Sequence, residues 1–90
     1  MRDIPFKEVT VMTRRSGVVK GITSVMGAAE FILREWPGNP SERLDLASIA
    51  LVKAYDGEIS PDIARTTFIE AAKEADIYIE AAKSASNRQA

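Results

Sequence analysis

A chain of ninety residues has the size of one small domain. Its residues are 46% hydrophobic and 28% charged, and its net charge is −1. This composition is typical of a globular chain rather than a disordered one. The lack of cysteine and histidine excludes disulfides, thiolate nucleophiles, the commonest metal ligand and the usual proton shuttle at neutral pH. No secretory signal is visible, and no apolar run approaches the roughly 20 residues that span a bilayer. We therefore expect one cytoplasmic domain over residues 1–90 that is flexible at 1–5 and 84–90. We expect this domain to bind no membrane, metal or cofactor.

The first quarter of the chain predicts a β-hairpin. Residues 6–13 alternate so that Val9 and Val11 share one face of a strand. Residues 14–17 predict a turn in which Gly17 takes a positive φ at little cost, and residues 18–22 predict the second strand. Because an isolated hairpin is marginal in water, one face should pack on helices.

The next segment predicts a helix that begins after Ser24, a capping residue, and stops at Trp36 because Pro37 follows. Apolar residues recur at the spacing of one helical face. The residues expected in the core are Val25, Ala28, Ala29, Ile32, Leu33 and Trp36.

A second helix is predicted from Asn39, as the N-cap, and Pro40, in the first position, to about Tyr55, with Gly57 as the stop. Its apolar positions also follow a helical period. The expected inward residues are Leu44, Ala47, Leu51 and Ala54, with Ala50 and Tyr55 beside them.

A third helix is predicted after Ser60 as N-cap and Pro61 in the first position. A break near Asp76 is one alternative, since residues 76–79 alternate, but the strongly helical residues 80–83 favour a continuous helix. The expected core residues are Ala64, Phe68, Ala71, Ala72, Ala75, Ile79 and Ala82. The predicted fold is α+β, with a hairpin packed on three helices in the order β-β-α-α-α.

Several motifs together resemble a domain-of-unknown-function family of short proteins found in rhizobia and related alphaproteobacteria. They are Pro5-Phe6, Val9-x-Val11, Ser24, Ala28-Ala29, Trp36-Pro37, Ala47, Gly57 and, most specifically, Ala-Arg-x-x-Phe-Ile-x-Ala-Ala-x-Glu-Ala at 64–75. The chain departs from that family in having no cysteine near Ala50 and in having Asp76 where glycine is common. The resemblance implies a compact α+β fold and no reaction, substrate or partner.

Two single residues are candidate binding residues. Arg65 lies early in the third helix, where the helix dipole disfavours a cation. We expect a structural ion pair with Asp56, Glu58 or Asp62, and the alternative is a site for a small anion. Trp36 is expected to be a core residue at a helix stop, with an aromatic interface anchor as the alternative.

The predicted hairpin is basic. Residues 1–22 carry a net charge of +3, and Arg14 and Arg15 lie at the turn, with Lys7 and Lys20 on the strands. A solvated turn is the simplest interpretation, and the alternative is contact with phosphate backbones. No aromatic stacking platform flanks these residues, which disfavours nucleic acid as the partner.

The missing catalytic residue types predict a protein that is not an enzyme. The alanine-rich face of the third helix suits close helix packing. We therefore expect a small interaction or regulatory module that self-associates or binds a protein partner. The alternatives are nucleic-acid binding through the hairpin and an anionic ligand at Arg65.

Overall fold

The computed structural model describes residues 3–80 and has a hairpin followed by three helices, which confirms the predicted α+β fold and element order. The elements are β1 (Pro5–Met12), β2 (Val19–Ser24), α1 (Val25–Glu35), α2 (Glu42–Tyr55), α3 (Pro61–Glu74) and β3 (Tyr78–Ile79). The segment 84–90, expected to be flexible, and Ala82, expected in the core, lie outside the described residues.

The sheet is antiparallel with the strand order β2-β1-β3, so β1 is central. Val9 pairs with Ile22, and Val11 lies between Lys20 on one side and Tyr78 on the other. The ladder between β1 and β2 is irregular between Pro5 and Val9. Val9, Val11 and Ile22 are buried, so the helices cover one face of the sheet, as a hairpin of this size requires.

Serine side chains begin all three helices. Ser24 Oγ accepts a hydrogen bond from Gly27 N, and Ser60 Oγ accepts one from Ile63 N. The prediction that Asn39 caps α2 is wrong, because Ser41 Oγ accepts the bond from Leu44 N at 3.2 Å. Ser41 also donates a 2.8 Å hydrogen bond to Glu74, which fixes this cap against α3.

The prediction of a continuous third helix is wrong. Asp76 N donates to Lys73 O at 3.0 Å and Ile77 N donates to Ala72 O at 2.9 Å, while Asp76 adopts φ +64°. This is the Schellman arrangement that ends a helix. The chain then runs along the free edge of β1, where Met12 N donates to Ile77 O, and Ile77 is buried. These tertiary contacts outweigh the local helix propensity.

Three aromatic rings form the centre of the core. Phe31, Trp36 and Phe68 meet edge to face, with ring centroids 5.8–6.4 Å apart. Such contacts stabilise beyond the area they bury, by about 0.5–1.5 kcal/mol each. Phe31, which the sequence pattern did not place in the core, is fully buried.

The inward face of α1 is therefore rotated from the predicted one. Val25, Ala28 and Phe31 point inward, so Ala29 is exposed and Leu33 is 78% exposed, contrary to the expectation for both. Five residues expected to point inward are only partly buried: Ile32, Leu44, Tyr55, Ala75 and Ile79. The other described residues expected in the core are buried: Val25, Ala28, Trp36, Ala47, Ala50, Leu51, Ala54, Ala64, Phe68, Ala71 and Ala72.

Candidate functional site

An apolar surface lies where α1 and α2 run side by side. Met26, Ala29 and Leu33 follow the i, i+3, i+7 spacing and share one side of α1. Ile49 and Val52, on the exposed side of α2, are 53% and 61% exposed. We call these five residues the apolar face.

A groove of about 290 Å³ opens in the apolar face. Met26 and Ala29 of α1 line it opposite Val52 and Tyr55 of α2, and every lining side chain is apolar except for the Tyr55 hydroxyl. Leu33 projects one helical turn beyond Ala29 on the same side of α1. The surface thus carries a hollow and a protruding side chain next to each other.

Charges of both signs border the apolar face. Glu30 and Arg34 are exposed on α1, and Lys53 and Asp56 are exposed on α2, where both line a second hollow beside Val52. Glu58 is exposed and lines the same hollow, so the border carries two positive and three negative groups and is of mixed sign.

A second surface, the basic groove, has a volume of about 420 Å³ and lies between the hairpin turn and the end of α1. Its charged lining residues are Arg14, Arg15, Lys20, Arg34 and Glu35, and its other lining residues are Thr13, Val18 and Val19. The fold thus brings the predicted basic residues Arg14, Arg15 and Lys20 together and adds Arg34. Arg34 was not among the residues predicted to bind a ligand, although its position in the last turn of a predicted helix can be recognised in the sequence.

Two of these four cations already have partners. Lys20 Nζ lies 3.0 Å from Glu35 Oε2, and Arg14 donates a 3.4 Å hydrogen bond to Trp36 O at the end of α1. Neither of the two salt bridges within residues 3–80 involves Arg15 or Arg34. Lys7 lies outside the groove, since it is separated from Arg14 by roughly 20 Å of nearly extended chain.

Arg65 has a structural contact. Its Nε donates a 2.8 Å hydrogen bond to Lys7 O, in the irregular part of the β1–β2 ladder. Within residues 3–80, Arg65 forms no salt bridge, so the expected pairing with Asp56, Glu58 or Asp62 is not made. The guanidinium instead joins α3 to β1.

Trp36 fills the interior and is only 6% exposed, so its ring is not presented at the surface as an interface anchor would be. Its Nε1 has no hydrogen-bond partner among the described residues. A Cβ on Gly38 would lie 3.0 Å from that nitrogen, so glycine allows the chain to pass close over the indole.

Within residues 3–80, no helix has the length and apolar character needed to cross a membrane. The same residues bring together no group of three or more acidic side chains that could hold a metal ion. The apolar face and the basic groove are candidate binding sites for a partner or ligand.

Comparison with known proteins supports the family that the sequence motifs indicated. A family model for proteins of unknown function (DUF982) matches residues 7–79, which include most of β1 and all of β2, the three helices and β3. No curated protein and no solved structure matches the chain. The match covers most of the chain, and the protein therefore belongs to the DUF982 family of proteins of unknown function.

Proposed function

We propose that the protein is a non-enzymatic interaction module that pairs with a second copy of itself through the apolar face. The observation that carries this proposal is the apolar groove with Leu33 exposed beside it. Single exposed apolar residues are ordinary, whereas contiguous apolar patches mark interaction sites. A second domain of the same size would cover surface that a 90-residue chain cannot bury alone.

Two features favour a second copy as the occupant. A twofold interface uses the same patch on both chains, so the patch must complement itself. Leu33 of each chain would enter the groove of the other, with the small Ala29 allowing close helix approach. The mixed border of Glu30, Arg34, Lys53 and Asp56 permits attraction between the copies, whereas a border of one sign would repel itself.

The test measures molar mass by size-exclusion chromatography with light scattering over a range of protein concentrations. The wild-type chain is expected to be a dimer, and Val52→Glu and Leu33→Glu are expected to be monomers with unchanged circular dichroism. Ile63→Glu is the matched control, because Ile63 is 54% exposed and lies on α3, outside the apolar face.

A wild-type chain that stays monomeric at hundreds of micromolar would contradict the proposal. Dissociation of the dimer by Ile63→Glu as strongly as by Val52→Glu would contradict it too, since the apolar face would then have no special part in association.

A further inference from the structure

We propose that the basic groove binds phosphate groups, with Arg15 and Arg34 as the residues that contact them directly. The basic groove shares Arg34 with the border of the apolar face but contains none of the five apolar-face residues, and the inference does not depend on self-association. The groove joins the hairpin turn to the last turn of α1, so residues 19 positions apart act on one ligand.

The turn that carries Arg15 is held by several hydrogen bonds. Thr13 N donates to Val18 O and Val18 N donates to Arg15 O, both at 3.0 Å. Arg15 N donates to Thr13 Oγ1 at 3.2 Å, and Gly17 supplies the positive φ, +79°, that the turn needs. A fixed backbone lowers the entropy lost when the side chain binds a ligand.

The groove carries more positive charge than is needed to offset the negative charge at the end of α1. The end of α1 is equivalent to about −0.5 of an elementary charge, and Glu35 adds one negative charge. Arg14 and Lys20, through their contacts with Trp36 O and Glu35, are enough to offset both. Arg15 and Arg34 remain as positive charge without a salt bridge among residues 3–80, in a chain whose net charge is −1.

Phosphate suits this arrangement better than a single carboxylate. Guanidinium groups match phosphate oxygens in paired hydrogen bonds, and a phosphate group can carry the two negative charges that two arginines offset. The volume of about 420 Å³ is in the range of small-ligand sites. No aromatic residue lines the groove, so the groove offers contact with phosphate without base stacking.

The phosphate could belong to a small molecule or to a nucleic-acid backbone, and titrations at about 50 and 200 mM salt separate these two sources. Inorganic pyrophosphate, followed by calorimetry and by amide NMR shifts, represents the small molecule. A fluorescent single-stranded oligonucleotide, followed by anisotropy, represents the backbone. Saturable binding of pyrophosphate alone assigns a small anion, and tighter, steeply salt-dependent binding of the oligonucleotide assigns the backbone.

Substitutions locate the site. Arg15→Ala and Arg34→Ala are each expected to weaken binding by about tenfold, since each removes a charge-assisted contact. Arg43→Ala is the control, because Arg43 is an exposed arginine on α2, paired with Glu70 and away from the groove. All three residues are exposed, and thermal melts followed by circular dichroism check that the variants fold.

Two results would overturn the proposal. One is the absence of binding to both probes at the lower salt concentration. The other is an equal loss of affinity in Arg43→Ala and in the groove variants, which would mean that only the overall charge matters. Neither result bears on the mass measured for the wild-type chain, so the two proposals fail independently.

Discussion

Arg65 Nε donates a 2.8 Å hydrogen bond to the backbone carbonyl of Lys7, which joins α3 to the central strand β1. The carbonyl lies where the ladder with β2 is irregular, between Pro5 and Val9. The bond also gives a partner to a cation near the start of a helix, where the dipole disfavours it. Arg65 is therefore a residue that stabilises the fold at the junction of a helix and the sheet.

Replacing Arg65 by methionine should keep much of the side-chain packing and remove this hydrogen bond. We expect the free energy of unfolding to fall by about 1–2 kcal/mol, because a bond to a charged donor is lost and the carbonyl is left without it. Urea denaturation measures the change. Arg43→Met is the control, since the exposed Arg43–Glu70 pair should contribute less than about 1 kcal/mol; equal effects at both positions would contradict the structural assignment.

Asp76 follows the C-cap of α3, Ala75, and has a strained backbone conformation. Its φ of +64° costs a non-glycine residue about 1–2 kcal/mol, somewhat less for aspartate, while glycine loses about 0.5–1 kcal/mol more freedom on folding. Asp76→Gly should therefore be neutral or stabilise by up to about 1 kcal/mol, whereas Asp76→Val should destabilise clearly. Thermal melts of both variants give the comparison, and an equal loss in both would mean that the backbone conformation is not the cause.

Substitutions of Phe31 and Leu33 test which face of α1 points into the core, because the structure buries Phe31 and the sequence pattern predicted Leu33 there. Phe31→Ala should cost about 3–5 kcal/mol, because it leaves a cavity among three packed rings. In a domain with about 5–15 kcal/mol of stability, this is a large fraction of the whole. Leu33→Ala should change stability by less than about 0.5 kcal/mol in dilute solution. Chemical denaturation measures both losses of stability. A larger loss for Leu33→Ala than for Phe31→Ala would show that Leu33 is the core residue.

We expect Asp3 to make the stability of the fold depend on pH in the acid range. Partial burial raises the pKa of Asp3, but hydrogen bonds that its carboxylate accepts from Ser24 Oγ, Met26 N and Ile4 N outweigh this and lower the pKa below its ordinary value of 3.8. A lowered pKa stabilises the folded state fully above the ordinary value, and this contribution is lost as the pH falls through the folded value.

Asp3→Asn should therefore lower the melting temperature at pH 7, and the difference from wild type should shrink below about pH 4. Melts recorded across this range follow the difference directly. A gap between the two proteins that stays constant from neutral to strongly acid pH would show that the charge of Asp3 is not the source.

Much of the fold was predictable because its signals are local. Ser24 and Ser60 cap helices through their own side chains, Gly17 and Gly57 take positive φ, and Pro37 follows the end of α1. The two errors at element ends arose where two local signals competed. Asn39 and Ser41 are both good caps, and residues 76–83 contain both an alternating and a helical pattern.

The candidate sites were less predictable, because they depend on which face of α1 points inward. Met26, Ala29 and Leu33 form an apolar stripe along the same turns of α1 as the buried residues. The burial of Phe31 shows which of the two stripes points into the core. Arg34 joined the basic groove because α1 ends beside the hairpin turn. The inward face of α1 and the position of Arg34 both depend on contacts between α1 and elements elsewhere in the chain, so local sequence patterns do not predict them.

The amino-acid sequence by itself determined the order of the hairpin and the three helices, where most helices begin, and the lack of histidine and cysteine chemistry, because these follow from short-range geometry and composition. The tertiary structure alone decided the rotation of α1, the end of α3 before Asp76 and the addition of β3 to β1. Each of these was settled by burial of Phe31 and Ile77 and by hydrogen bonds to the sheet, which depend on contacts between residues distant in the chain.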